Sequence, residues 1–276
     1  HYFHPPLVME ALSKNLHVVS EKPAGVYTKQ VREMNEAAAK TDLVFGIMYN
    51  QRTNCVYRKM KELVESGELG EIRRVSWIIT DWYRTQAYYN SGGWRATWVG
   101  EGGGVLINQC PHQIDLVQWV LGQMPKKVHG FCHYGKWHDI EVEDDVTTVV
   151  EYENGATGVF ITTTGDGLGT NRFEIQMDGA KLVVEDDKLT VTEFEMKESE
   201  FTKTNTEVFG SVKTHNLEIE IEKKNPQHIG VVNAWAGKIL HGTPLVAEGA
   251  EGLKGVILSN AMHLSDFLGK EIELPF

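Results

Sequence analysis

Two secondary-structure patterns follow one another along the chain, and their order restricts the folds open to it. From residue 5 to 66, short apolar runs alternate with amphipathic helix signals. Pro5-Pro6 opens a helix over 5–14. His17-Val18-Val19-Ser20 reads as a short strand, which Glu21-Lys22-Pro23 ends because proline offers no donor to a ladder. A helix over 28–40 follows, with Thr28 as its cap and Val31, Met34 and Ala38 on its inner stripe. Leu43–Ile47 is the next buried strand, and 53–66 is another helix, stopped at Gly67. This alternation predicts a parallel α/β sheet. The pattern then changes, with Ile72–Thr80 as a strand candidate ahead of the aromatic loop and the glycine run. Further strands are expected over 127–135, 144–153, 156–164, 171–178, 180–185 and 189–195. Asn154-Gly155, Asp166-Gly167 and Asp178-Gly179 between them are hairpin signals. Helices over 226–240 and 249–268 and a terminal Ile272-Glu273-Leu274 complete the pattern. The expected class is α/β followed by α+β, with a large, mostly antiparallel open sheet.

A chain of 276 residues has room for two domains. The first pattern, however, contains only two strands, and a two-stranded parallel sheet is not a stable domain alone. The sequence also opens on His1, within a helix signal, so an upstream segment is expected to be absent.

The densest chemistry lies in Gly102–Trp119. Three glycines open an apolar run that contains Asn108, His112, Asp115 and Trp119. Their spacing of four, three and four places them on one face of a helix expected over 102–121. Pro111 must kink or restart that helix. Polar groups on an apolar helix are costly to bury unless they are paired or used. The glycines could hold an anion at a helix N-terminus, and they read as a flexible turn bringing backbone close to a ligand. Before them, Asp81–Glu101 is a long aromatic loop carrying Arg84 and Arg95. Such a loop suits a sugar or a flat cofactor ring, or else packs on itself.

Other features exclude function classes. The net charge is −11, which argues against a nucleic-acid partner. No apolar run approaches a membrane span, and the first residues lack a signal-peptide pattern. Three cysteines without metal-ligand spacing fit a reducing compartment, and the cytoplasm is expected. His129, Cys132, His133 and His138 resemble a metal cluster, but on a strand Cys132 points away from His129 and His133, and no metal is expected. Asp144-Asp145 and Glu185-Asp186-Asp187 read as solvated turn charges. Lys213–Lys224 alternates apolar and charged residues, as in an exposed strand or a partner-contacting segment.

Glu21-Lys22-Pro23 at a strand end, the aromatic loop with Trp94-Arg95, the glycine run with His112-x-x-Asp115 and the closing Leu-Pro occur in that order. Together they resemble the Gfo/Idh/MocA family of NAD(P)-dependent oxidoreductases, which includes glucose–fructose oxidoreductase and inositol dehydrogenase. The resemblance implies a C-terminal remnant of a dinucleotide-binding Rossmann domain over 1–48. It implies a substrate-binding and oligomerisation α/β domain over 49–276. The phosphate-binding turn would lie upstream of residue 1, so the chain as given would be inactive alone. NAD or NADP would be the cofactor and a sugar, polyol or related hydroxy or carbonyl compound the substrate. A homodimer or homotetramer would form through the sheet.

By the same resemblance, Lys22 and His112 match the family's catalytic lysine and histidine. Asn108 stands where the family has aspartate, and an amide cannot take a proton. Glu21, Lys22, Pro23, Trp94 and Arg95 would meet the cofactor; Tyr49, Asn50, Arg52, Tyr83 and Asp115 would meet the substrate. His112 is expected to titrate near neutrality and to act as base, with Lys22 stabilising alkoxide charge. Asp115 is expected to orient the imidazole or to make a structural bond. The rival reading is a catalytically silent sugar-sensing or scaffold protein on the same fold.

Overall fold

Residues 1–48 are organised on one pair of parallel strands. The computed structural model describes residues 1–222 and 224–275. Helix α1 (His4–Ser13) leads into β1 (Val18–Ser20), α2 (Thr28–Ala38) and β2 (Phe45–Ile47). β1 and β2 pair in parallel with Val18 opposite Phe45. Val8, Leu12, Val31, Met34 and Ile47 form a small core between them. Thr28 does not cap α2. Tyr27 holds that position, and the Thr28 hydroxyl and N–H both donate to Asn260 Oδ1 at 3.1 Å. A tertiary partner has taken the group that the local pattern assigned to the helix end.

A short 3-10 turn (Asn50–Thr53) precedes α3 (Cys55–Glu65), whose cap is Asn54, accepting from the Val56 N–H at 2.9 Å. Then come β3 (Ile72–Ile79), α4 (Gln86–Tyr89) within the aromatic loop, and α5 (Pro111–Leu121). The expected helix over 102–121 is therefore only half present. Proline occupies the first turn of α5, where its missing donor costs nothing, and 102–110 are turns. Asn108 consequently sits before the helix rather than on its face.

The second half supplies β4 (Lys127–Tyr134), β5 (Glu143–Glu151), β6 (Thr157–Thr163), β7 (Asn171–Met177), β8 (Ala180–Glu185) and β9 (Lys188–Phe194). α6 (Glu198–Thr204), β10 (Thr214–Leu217), α7 (Gln227–His241), α8 (Gly252–Leu268) and β11 (Ile272–Glu273) complete the described chain. The strands form a nine-stranded sheet in the order β10-β9-β8-β7-β3-β6-β5-β4-β11. Two hairpin signals join neighbours: Asn154-Gly155 links β5 to β6, and Asp178-Gly179 links β7 to β8. Asp166-Gly167 does not. β3 lies between β6 and β7, parallel to the first and antiparallel to the second. Trp77 of β3 explains the insertion: it is wholly buried and stacks on Phe173 of β7 at 4.1 Å. A tryptophan of that size is best buried between two strands rather than at an edge.

α3, α5 and α8 supply Met60, Ile114, Leu116 and Met262 to the core on one face of the sheet. On β4 and β5, Phe131 and Val149 remain half exposed. His129 and Phe131 share their side of β4, and Cys132 is buried on the other. Asp144 is not a solvated turn charge. It is wholly buried and accepts from the N–H groups of Lys136, Trp137 and His138, which the 136–138 turn could not otherwise satisfy. Leu217, Ile219 and Ile221 lean on the core while Glu218, Glu220 and Glu222 face outward. Lys223 of that segment lies outside the described residues. Among the described residues no helix is long and apolar enough to cross a membrane.

Candidate active site

Lys22 follows the carboxyl end of β1, the position at which open parallel sheets present ligand-binding groups. A cis peptide links it to Pro23. Its Nζ donates to the backbone oxygen of Asn108 at 2.7 Å. Burial lowers its pKa. Glu21 is exposed, and the buried Pro23 offers its carbonyl to His4 Nδ1 at 2.6 Å.

The glycine run is shaped by crowding. Gly102 has φ +89, and a Cβ on Gly104 would lie 2.0 Å from the Glu143 carbonyl oxygen. The turn does bind an anion, but the anion belongs to the protein. The wholly buried Glu143 carboxylate accepts from Gly104 N–H at 2.9 Å and from Leu106 N–H at 3.0 Å. These donors are spent internally, so the turn is a fixed support rather than a flexible loop approaching a ligand.

Asn108 leaves this turn with its carbonyl on Lys22 and its side-chain Nδ2 donating to Glu101 Oε1. Tyr88 Oη stands 3.5 Å from the same nitrogen. Glu101 is almost fully buried and also accepts from Ala96 N–H at 2.6 Å. His112 is the second residue of α5. Its buried Nδ1 has no partner among the described residues, and Tyr49 meets the ring edge-on at 6.3 Å. Burial, then the Lys22 charge, then His228 push its pKa down to about 3. The expectation of titration near neutrality is thus corrected: His112 is neutral at pH 7, because an imidazolium would be poorly solvated and would face an ammonium.

Asp115 does not orient His112. Both its oxygens accept from Arg52, Oδ2 from Nε at 2.8 Å and Oδ1 from Nη2 at 2.7 Å. Arg52 is buried, ion-pairs also with Glu251, and lies 5.4 Å from the ring centres of Tyr49 and Trp119. Two of the four stripe residues, Asp115 and Trp119, therefore serve a buried ion pair beneath the site. Tyr49 is fully buried, and Asn50 donates to Gln227 Oε1 while its own buried Oδ1 has no partner among the described residues.

Trp94 is half exposed with Arg95 at 4.5 Å from its ring centre, and Arg95 also donates to Tyr88 Oη at 2.9 Å. Tyr83 is half exposed, and none of the contacts of Lys22, Asn108 or His112 includes it. Lys22, Asn108 and His112 are brought together. Arg52 and Asp115 bind each other.

Sequence reasoning missed Glu101, Tyr88, Glu143 and His228. Glu101 carried one readable signal, a carboxylate immediately before a glycine turn that ends up buried. The others come from elements that only the tertiary fold brings near.

Residues 57–183 match the model of the GFO/IDH/MocA C-terminal domain. The chain is 22% identical over 265 residues to myo-inositol 2-dehydrogenase of Thermotoga maritima, covering 95% of this chain and 74% of that one. It is 31% identical over 173 residues to D-glucoside 3-dehydrogenase of Escherichia coli, covering 56% of this chain and 46% of that one. Its fold is similar to that of the WlbA dehydrogenase of Bordetella pertussis in complex with NADH and UDP-GlcNAcA. The TM-score there is 0.80 at 23% identity, over 100% of this chain and 77% of that one. Against several curated relatives the matched part spans only a third to a half of their length, between 34% and 53%. The glycine turn, the lysine after β1, the histidine opening α5 and these likenesses coincide, and residues 57–183 carry the likeness to the C-terminal domain of the Gfo/Idh/MocA oxidoreductases.

Proposed function

We propose that this protein is an NAD(P)-dependent oxidoreductase transferring a hydride between nicotinamide and a sugar, a polyol or a related hydroxy or carbonyl compound. Residues 1–48 are read as the C-terminal part of its dinucleotide-binding domain and 49–276 as its substrate-binding and oligomerisation domain. The observation that carries the proposal is the convergence of Lys22, Asn108 and a neutral His112. The donor set fits a nicotinamide and a hydroxyl: a cation with donors to spare, an uncharged imidazole, and the flat half-exposed Trp94 backed by Arg95. Lys22, Pro23, Trp94 and Arg95, with Glu21 at the edge, would hold the cofactor, which when bound supplies a two-electron hydride acceptor or donor.

The chain's own residues handle the proton and the charge. Lys22 donates to the substrate hydroxyl oxygen and stabilises the alkoxide as it develops. The hydroxyl proton goes to the neutral His112. Alkoxide charge between the two groups offsets the Lys22 ammonium, so His112 becomes a stronger base at the moment it is needed. Asn108 holds a substrate hydroxyl without exchanging a proton. The half-exposed face with Phe131 and Val149 is read as a homo-oligomer contact.

The test is nicotinamide absorbance in the whole protein with D-glucose, a methyl glucoside and myo-inositol, in both directions and with both cofactors. Turnover of any of them supports the proposal. Tight sugar binding without turnover would replace it with the silent sensor reading.

A further inference from the structure

A buried carboxylate lies directly against the Asn108 side chain. Glu101 lies seven residues before Asn108, is only 2% exposed, and has its two oxygens on different donors. Oε2 takes the Ala96 N–H at 2.6 Å and Oε1 takes the Asn108 side-chain amide. An ionised carboxylate only accepts hydrogen bonds, so the face of the Asn108 amide toward it must be Nδ2. The other face, Oδ1, then meets no donor among the described residues and is an acceptor on the same residue whose carbonyl holds Lys22. We propose that Glu101 is a positioning residue that locks the Asn108 amide with Oδ1 toward the substrate, so that this point of the site selects a hydroxyl, which can donate, over a carbonyl, which cannot. The inference rests on the oxidoreductase reading given above.

The electrostatics agree. Burial raises the Glu101 pKa, while the Ala96 N–H, the Asn108 amide and Arg95 favour its ionised form; Glu143 opposes it. Lys22 also feels its charge. The site thus holds one carboxylate and one amide in contact. A second carboxylate there would have to share a proton with the first.

The test exchanges the pair. Carboxyl titrations are followed by carbon NMR in the wild type, Asn108→Asp, Glu101→Gln and the double exchange. Asn108→Asp should show one carboxyl titrating about two pH units or more above wild-type Glu101. Glu101→Gln with Asn108→Asp should abolish that step, because one carboxylate and one amide are restored. Two carboxyls in Asn108→Asp that both titrate in the ordinary acidic range would overturn the proposal. In turnover, using whichever of D-glucose, the methyl glucoside or myo-inositol is oxidised, Glu101→Gln should raise KM about tenfold with kcat within about threefold. An unchanged KM would overturn it. A urea midpoint for each variant separates misfolding from mispositioning, and the double exchange should recover KM if Glu101→Gln alone is folded but loose. If no sugar is turned over, the oxidoreductase reading fails, and with it the role of Oδ1. The carboxyl titrations still report the Glu101–Asn108 pair by itself.

Discussion

Lys22 Nζ and the backbone oxygen of Asn108 are 2.7 Å apart, although 86 residues separate them in the chain. That bond fixes the ammonium within electrostatic reach of His112, whose pKa it helps to lower. Lys22→Met should therefore do two things. It should lower kcat by roughly two to four powers of ten, the usual worth of a positioned acid–base group. It should also raise the His112 pKa from about 3 toward its ordinary value. Proton NMR of the buried imidazole reads the second effect without any substrate. A His112 titration that does not move would show the two groups to be uncoupled.

The same depressed pKa makes folding stability depend on pH. Between about 3 and the ordinary histidine value near 6.5, the unfolded chain binds a proton at His112 that the folded chain does not. Stability contributed by neutral His112 is therefore complete above that window and is lost as pH falls through it. The slope is at most about 1.4 kcal/mol per pH unit. Between pH 7 and pH 5 the wild type should lose up to about 2 kcal/mol more than His112→Asn. Urea midpoints of the two proteins at both pH values measure the difference, and parallel losses would contradict it.

Arg52 and Asp115 form a buried, two-pronged ion pair. Removing one member strands the other charge in a poorly polarisable interior. Asp115→Ala should cost about 3–5 kcal/mol, and a joint replacement by apolar residues of similar volume should cost much less. Denaturant titration of the single and double variants decides it. A loss in the double variant equal to the sum of the two single losses would mean that the pair is not coupled.

Gly104→Ala should destabilise by about 3 kcal/mol or more, because its Cβ would meet the Glu143 carbonyl backbone rather than a side chain that can move aside. Gly93→Ala is the control, since nothing lies within 4 Å of the point its methyl group would occupy and its φ is ordinary. Thermal melts of both should separate them clearly.

Phe131 and Val149 are 50% and 47% exposed on adjacent strands. If the sheet face joins copies of the chain, Phe131→Lys with Val149→Lys should halve the mass seen by light scattering or reduce it further, without lowering the thermal midpoint of the monomer. An unchanged mass would place the contact elsewhere.

The sequence announced most of the strands because period-two burial is a local property, as in β5 and β6. It also announced Lys22 and His112 through their motifs. Pro111 marked the start of α5, but the periodicity of 102–110 concealed that these residues are turns pinned by Glu143. The order β6-β3-β7 was hidden, because a turn pair such as Asp166-Gly167 reports a reversal and says nothing of what slips between the strands. The tasks of Asp115 and Glu101 were hidden for a related reason. Their partners, Arg52 and the Asn108 amide, could be recognised only once the distant segments were packed together.

The central place of β3 also has a consequence for how the molecule is made. It is the earliest strand of the large sheet in the chain, yet both its neighbours come roughly 80 to 100 residues later. At ribosomal rates of roughly 5–20 residues per second, its two hydrogen-bonding edges wait on the order of 5–20 seconds before β6 and β7 emerge. Through that interval Trp77 has no Phe173 to stack on, and a nascent chain carries an unpaired apolar strand of the kind that chaperones bind.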